Sequence, residues 1–441
     1  MRNSDIVVGL DIGTTKICVV AGRMTPEGKM EVLGVGHAPS AGLMRGVISN
    51  INKTVEGIQE AVRQAEEMMN AKILKVYVGI AGQHIKSKRH RNYLLRDSLE
   101  REISQEDVDT LIENVHRMVL PEGEQIIHVI PQTFMVDNDE GIEDPVGMCG
   151  LRLEADFHII TGKVNATKNI YKCVTKAGLD VAGLMLEPIA SADSVLNDTE
   201  KEAGVALVDM GGGTTDIAIF HDGVIRHTAV IPLGGNIITD DIKEGCMVLQ
   251  HQAEKLKVKF GSALALDSLE NHVVSVPGPR GITHREVGVK NLASIIQARV
   301  DEIMELVYYE IRNSGYESKL IAGIVLTGGG AMLDNLDVFT EYITGLPARI
   351  GQPSEILNRA MRSELGMPQF STAVGLSLKG NNKFQREKIG GIAEPEDAQP
   401  PAPRKGRLRD WVFGVKEFLK GDAEVMEEFD NQQTTDNNII N

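Results

Sequence analysis

Aromatic residues make up only 4% of this chain, with a single Trp, so its cores must be built from Val, Ile, Leu and Met. That composition suits buried sheets flanked by helices better than an aromatic-rich binding surface. Cysteine is scarce too: Cys18, Cys149, Cys173 and Cys246 are widely scattered and lack metal-ligand spacing. The pattern argues against a disulfide scaffold or a zinc site and for reduced thiols in a cytosolic protein. No apolar run is long enough to span a bilayer. Acidic residues interrupt the short apolar start, which therefore lacks the shape of a signal peptide. Any membrane contact is expected to be peripheral. Positive charge is in deficit, 46 basic against 62 acidic residues, and a net charge of −16 repels nucleic acid. What the chain does have is length: 441 residues exceed one typical core, so two or more lobes are expected.

The most informative stretch is VALVDMGGGTTDIAIF, Val205 to Phe220. An apolar strand ends in Asp209, breaks at Gly211-Gly212-Gly213, passes Thr214, Thr215 and Asp216, and turns apolar again. Glycines without Cβ atoms let backbone N–H groups close around an anion. Asp209 at the strand end is placed to hold a cation that neutralises phosphates. One such turn is equally well a plain glycine hairpin. The chain, however, has the same plan at its start. Ile6 to Leu10 is a short strand ending in Asp11, followed by Ile12, Gly13, Thr14, Thr15 and Lys16 and a second strand. Lys16 adds a mobile cation, or is a solvated strand-edge lysine. The repetition points to two similar lobes facing one ligand. A third glycine turn, Thr327-Gly328-Gly329-Gly330, ends the strand Leu320 to Leu326 and opens into a helix-like segment. Nucleotides are commonly held at such a place in α/β sheets.

Between these loops the sequence alternates strands and amphipathic helices. Residues 84–158 differ in character: a basic loop with Lys86, Lys88, Arg89 and Arg91, a helix capped by Ser104, then strand-like pieces. This reads as a small α+β insertion without phosphate signature. Glu187 opens a small-residue helix, where a carboxylate would orient a water or stabilise the helix dipole. Glu254 and Lys257 stand one helical turn apart, as in a surface ion pair. Beyond Lys379 the composition becomes that of a linker, with Pro395, Pro400, Pro401 and Pro403. Then Leu408, Trp411, Val412, Val415, Phe418 and Leu419 fall on one helical face, flanked by Arg407, Arg409, Lys416 and Lys420. Basic flanks, aromatics and a flexible tether describe a helix lying in the plane of a membrane. A helix that docks in a partner's groove has the same pattern.

The loops and their order resemble the superfamily of actin, heat-shock chaperones and sugar kinases. Within it, GLDIGTTKICVVAG, GVALVDMGGGTTDIAIF, AEKLKVKFG and IVLTGGGAML are similar to the motifs of the FtsA family of bacterial cell-division proteins. The resemblance implies an α/β, actin-like two-lobe ATPase fold with ribonuclease-H-like halves. Its parts would be a first lobe at 1–83 and 163–200, an inserted α+β subdomain at 84–162 and a second lobe at 201–235 and 303–380. A further subdomain would fall at 236–302, a linker at 381–405, a membrane helix at 406–420 and an acidic disordered tail at 421–441. It also implies ATP and Mg²⁺ as ligands. Asp11 and Asp209 would hold the metal through water, Glu187 would orient the attacking water, and Glu254 and Lys257 would contact the ribose. Gly13, Thr14, Thr15, Lys16, Gly211, Gly212, Gly213, Thr214 and Thr215 would form the two phosphate loops. Gly328, Gly329, Gly330 and Met332 would form the adenosine loop.

The function so implied is that of a filament on the inner face of the cytoplasmic membrane that tethers the tubulin-like division ring, FtsZ, at the septum. The second-lobe subdomain would meet the ring protein and the inserted subdomain would recruit later division proteins. Hydrolysis would be slow at most, since no positioned base beyond Glu187 is evident. A small-molecule kinase on the same scaffold would need a general-base Asp and a polar substrate pocket. A pilus-assembly adaptor of the same fold is the other alternative, and the tail helix favours division. The tail yields a direct test: full-length protein should sediment with lipid vesicles and protein lacking residues 405–441 should not, whereas equal binding would rule out tethering by the tail.

Overall fold

The computed structural model describes residues 6–266, 270–277, 284–359 and 361–389. The expected membrane helix at 406–420 and the acidic stretch after it lie outside the described residues. In the first lobe, β1 (Val7–Ile12) and β2 (Lys16–Met24) form an antiparallel hairpin around Gly13-Thr14-Thr15. β3 (Met30–Pro39) pairs with β2, and a short hairpin, β4 (Leu43–Met44) and β5 (Val47–Ile48), precedes α1 (Ile51–Met69). The α1 helix is held at its start by the Asn50 side chain accepting from Lys53 N–H, and it ends on left-handed Asn70. It buries Ile58, Ala61, Val62 and Ala65 on the sheet. Each of its larger buried aliphatics contributes about 1.5–3 kcal/mol. β6 (Lys75–Ile80) lies parallel to β1.

The chain then leaves this sheet. β7 (Lys86–Leu95), α2 (Gln105–His116), β8 (Glu124–Val136), β9 (Asp139–Ile142) and β10 (Arg152–Lys163) build a four-stranded sheet of order β7-β10-β8-β9. α2 begins with the Ser104–Asp107 capping box and packs Val108, Leu111 and Val115 against Phe134, Leu153 and Phe157. The basic segment at 86–91, expected as a loop, is instead the edge strand β7. Lys and Arg on an edge keep its unpaired backbone from recruiting other strands. Pro131 sits inside β8 because a register shift opposite Asp156 and Phe157 removes the hydrogen bond it cannot donate.

After α3 (Val164–Lys176), β11 (Asp180–Leu186) completes the first sheet in the order β11-β6-β1-β2-β3. α4 (Glu187–Val195) and the short α5 (Asp198–Ala203) lead to the second lobe. There β12 (Val205–Met210), β13 (Thr215–His221) and β14 (Val224–Ile231) are successively antiparallel. A subdomain follows: α6 (Gly235–Cys246), α7 (Gln250–Phe260), β15 (Val273–Pro277), β16 (His284–Gly288) and the 26-residue α8 (Val289–Ser314). β17 (Ile324–Thr327) is parallel to β12, and β18 (Ala348–Ile350), after α9 (Leu336–Thr344), is parallel to β17. The second sheet therefore has the order β14-β13-β12-β17-β18, the same plan as the first.

After α10 (Arg362–Leu365), the described residues close with α11 (Ser371–Ile389), which runs nine residues into the stretch expected as linker. The two helices that join the lobes cross over. α4 packs Ala192 and Val195 on Leu207, Ala218 and Val325 of the second sheet, while α11 packs Ala373 and Val374 on Cys18, Val20 and Val35 of the first. They touch where a side chain at Gly375 would overlap the Ala190 carbonyl oxygen. Ser194 Oγ also donates to the Ser371 carbonyl at 2.8 Å.

Candidate functional site

The duplicated sheets bring the two glycine turns face to face. Gly13 N–H closes the first turn on the Lys16 carbonyl at 3.0 Å, and Gly211 N–H closes the second on the Thr214 carbonyl at 2.9 Å. A Cβ on Gly212 would lie 2.7 Å from Thr15 Oγ1, and one on Gly213 would lie 2.7 Å from Thr14 Oγ1. Both glycines are therefore needed for the loops to approach. The start of α6 clasps the second turn, with Gly235 N–H donating to the Gly211 carbonyl and Asn236 N–H to the Gly212 carbonyl at 2.9 and 2.8 Å. At the third turn Gly328 has φ of +83°, and any side chain there would run into Asp209 Oδ1. These elements enclose one cavity of about 450 Å³.

Its walls include Asp11, Gly13, Thr14, Thr15, Lys16, Glu187, Asp209, Gly211, Gly212, Gly213, Thr214, Glu254, Lys257, Gly328, Gly329, Gly330 and Met332. Of the residues singled out in the two lobes, Thr215 alone is missing. It is fully buried and its Oγ1 donates to the Leu233 carbonyl at 2.9 Å, because alternate residues of β13 face opposite sides of the sheet. By the same alternation Thr214 and Asp216 share the cavity side. Asp216, whose carboxylate the motif contains without an assigned part, therefore joins the site. His84, Asn236, Gln369 and Thr372 line it too, and no pattern in the sequence marks them. The expected membrane-facing residues Leu408 to Leu419 lie outside the described residues.

Four carboxylates and one lysine dominate the electrostatics. Burial pushes Asp11 up to about 6, with Lys16 opposing and Asp209 adding to the rise. Burial, with Asp209 nearby, pushes Asp216 up to about 7; Thr214 Oγ1 donates to its Oδ2 at 2.8 Å, and Oδ1 has no partner among the described residues. Glu187 is raised well above the usual range by burial and by Asp11, Asp216 and Asp209. Its side chain has room because Gly79 stands opposite, where a Cβ would meet Glu187 Cγ at 2.8 Å. Asp209 is also raised by burial, though Ser191 Oγ donates to it at 2.6 Å and Thr372 Oγ1 at 3.3 Å. The Lys16 ammonium donates to the Gln369 carbonyl at 2.5 Å and lies 3.7 Å above the Phe370 ring, so it is held by the segment that leads into α11.

Glu254 and Lys257 are paired at 2.8 Å but are more than a solvated helix pair. Lys257 Nζ also donates to the Gly235 carbonyl and approaches Thr239 Oγ1, both at 2.8 Å, and Thr239 Oγ1 donates to Glu254. The network fastens α7 to the start of α6 at one end of the cavity. Chemically, the site combines anion-cradling turns with carboxylates whose proton affinity stays high although Lys16 opposes the rise at Asp11 and Asp209.

Asp216 gives a signed prediction. Folded, its carboxyl stays protonated up to about pH 7, against an ordinary value of 3.8, so the stability this proton brings is lost as pH rises through that window. His158, pushed down to about 4 chiefly by burial, contributes the opposite slope to wild type and variant alike. In chemical denaturation of the ligand-free protein, Asp216→Asn should therefore lose less stability than wild type between about pH 5 and pH 8. Equal losses would contradict a buried, proton-holding Asp216.

A family model described as "Cell division protein FtsA" matches residues 206–375, and one described as "SHS2 domain inserted in FTSA" matches residues 82–161. The protein of Pseudomonas aeruginosa named cell division protein FtsA is 40% identical over 418 residues, covering 94% of this chain and 99% of its own length. The proteins of the same name from Escherichia coli K12 and Bacillus subtilis are each 36% identical, over 89% and 90% of this chain and 93% and 89% of their own. Among solved structures, the PilM–PilN type IV pilus biogenesis complex matches with a TM-score of 0.63 at 16% identity, over 85% of this chain and 98% of that one. MreB5 of Spiroplasma citri bound to ADP matches with a TM-score of 0.54 at 14% identity, over 88% of this chain and all of that one. Likenesses this distant speak to fold alone, and the fold they give is actin-like.

Proposed function

The chain belongs to the FtsA family of cell-division proteins, and from that premise we propose that it binds ATP with Mg²⁺ between its lobes and polymerises in that state on the inner face of the cytoplasmic membrane. The observation that carries the nucleotide reading is the meeting of the two glycine turns, Gly212 against Thr15 and Gly213 against Thr14, over buried carboxylates. The triphosphate lies between the turns and takes their backbone N–H groups. The ribose lies toward Glu254 and Lys257, and the base toward Gly328, Gly329, Gly330 and Met332. The carboxylates fit a divalent cation, because their proton affinities are raised by burial and by one another. Among the described residues no three such side chains converge to grip a bare ion. Asp11 and Asp209 accordingly hold Mg²⁺ through water, and the phosphates supply further oxygens. Glu187, half-buried near Asp11 and Asp209, orients the water that attacks the terminal phosphate, and its raised proton affinity suits slow hydrolysis.

Division supplies the setting. ATP fixes the angle between lobes joined by α4 and α11, and that angle sets the geometry for head-to-tail assembly. Attachment to the membrane is the part of residues 406–420, whose apolar positions repeat at helical spacing between basic flanks. Many weak tail helices in one filament sum by avidity. The filament ties the division ring, FtsZ, to the membrane at the division site, with the subdomain 236–302 meeting the ring and the inserted subdomain meeting later division proteins. Asp209→Asn tests the proposal: its affinity for Mg·ATP in calorimetry should fall by at least about tenfold, because a charged contact is lost. Unchanged affinity would refute the assignment of the cleft.

A further inference from the structure

The hairpin of β4 and β5 belongs to the first lobe but reaches both phosphate turns. Its two turn residues, Arg45 and Gly46, have φ of +50° and +73°, the geometry of a tight two-residue hairpin. Ser49 and Asn50 N–H groups tie its base to the Gly42 carbonyl at 2.8 and 3.0 Å, and Leu43 and Ile48 anchor it on the first-lobe core. At its tip Gly46 N–H donates to Thr14 Oγ1 at 3.3 Å. A Cβ on Gly213 would lie 3.0 Å from the Arg45 Cα. The tip thus spans the gap between the lobes.

The second turn gives the cleft a direction. Gly213 faces Thr14 and Arg45, Gly212 faces Thr15 and Asn236, and Gly235, bonded to Gly211, faces Lys257. With the ribose at the Lys257 end, the end of the phosphate chain farthest from the nucleoside lies under the hairpin tip. The nearby cations are otherwise engaged: Lys16 with the Gln369 carbonyl and the Phe370 ring, Lys257 with Glu254 and the Gly235 carbonyl. Arg45 is exposed, and its guanidinium has no hydrogen-bond or ion-pair partner among the described residues.

We propose that Arg45 is the residue through which this cleft senses the terminal phosphate, so that it distinguishes a nucleoside triphosphate from a diphosphate. The inference rests on the nucleotide reading above and adds a specificity determinant to it. A guanidinium suits the task, since its planar fork binds phosphate oxygens in pairs and stays charged at any pH the protein meets. Because the hairpin is first-lobe structure and Gly213 second-lobe structure, this contact also links the presence of the terminal phosphate to closure of the cleft.

The test compares Mg·ATP and Mg·ADP binding by calorimetry for the full chain, Arg45→Ala and Arg45→Lys. Arg45→Ala should weaken ATP binding by about tenfold or more, the worth of one charge-assisted contact, while ADP affinity stays within about twofold. The unchanged ADP affinity also reports that the cleft of the variant is intact. Arg45→Lys should recover part of the ATP affinity. An unchanged ATP-to-ADP ratio in Arg45→Ala, or an equal loss for both nucleotides, overturns the assignment of Arg45 while leaving nucleotide binding standing. Failure of the wild type to bind either nucleotide overturns the reading on which it rests.

Discussion

Crowded negative charge in one cleft is the constraint from which the rest of this structure follows. Asp11, Asp209 and Asp216 are buried in one cavity with the half-buried Glu187, burial raises the proton affinity of all four, and repulsion from neighbouring carboxylates adds to it at Asp11, Glu187 and Asp216. One lysine, held by the Gln369 carbonyl, offsets them only in part. Such a cluster is costly in isolation. It would become favourable if a divalent cation and a polyanion entered together, as the proposed binding of metal-bound nucleotide requires. The glycines serve the same end. Gly79 leaves room for Glu187, and Gly328 lets backbone lie against Asp209.

The duplicated sheets explain how such a cleft can set a shape. Each lobe carries one phosphate turn at the same place in the same strand order, so ligand contacts are shared between two similar bodies. The lobes are joined where α4 and α11 cross at Gly375, with each helix packed on the sheet of the other lobe. A ligand that draws the turns together therefore acts through a short, well-packed connection and not through a loose linker. In the filament we propose, small changes of this angle would repeat at every subunit.

Much of this was legible in the residues, and the reasons are physical. A glycine turn between a strand ending in Asp and paired threonines has few other uses once it occurs twice, so the two-lobe fold and most of the cavity wall follow from Asp11 to Lys16 and Asp209 to Thr214. Side-chain alternation along β13 decides between Thr215 and Asp216. Position in the motif favoured the wrong one, whereas a strict period of two places Thr214 and Asp216 on one face. The strand β7 reads as a loop because its lysines and arginines are those of a solvated segment, and only its partner β10 reveals the edge. His84, Gln369 and Thr372 reach the cleft through tertiary packing, which leaves no trace in local pattern.

The most direct measurement is a crystal structure of the full chain with Mg²⁺ and a non-hydrolysable ATP analogue. The account predicts the phosphates between Gly13 and Gly212, within hydrogen-bonding distance of both turns, with the metal's water shell against Asp11 and Asp209. A nucleotide bound elsewhere, or phosphates that touch only one of the two turns, would contradict it.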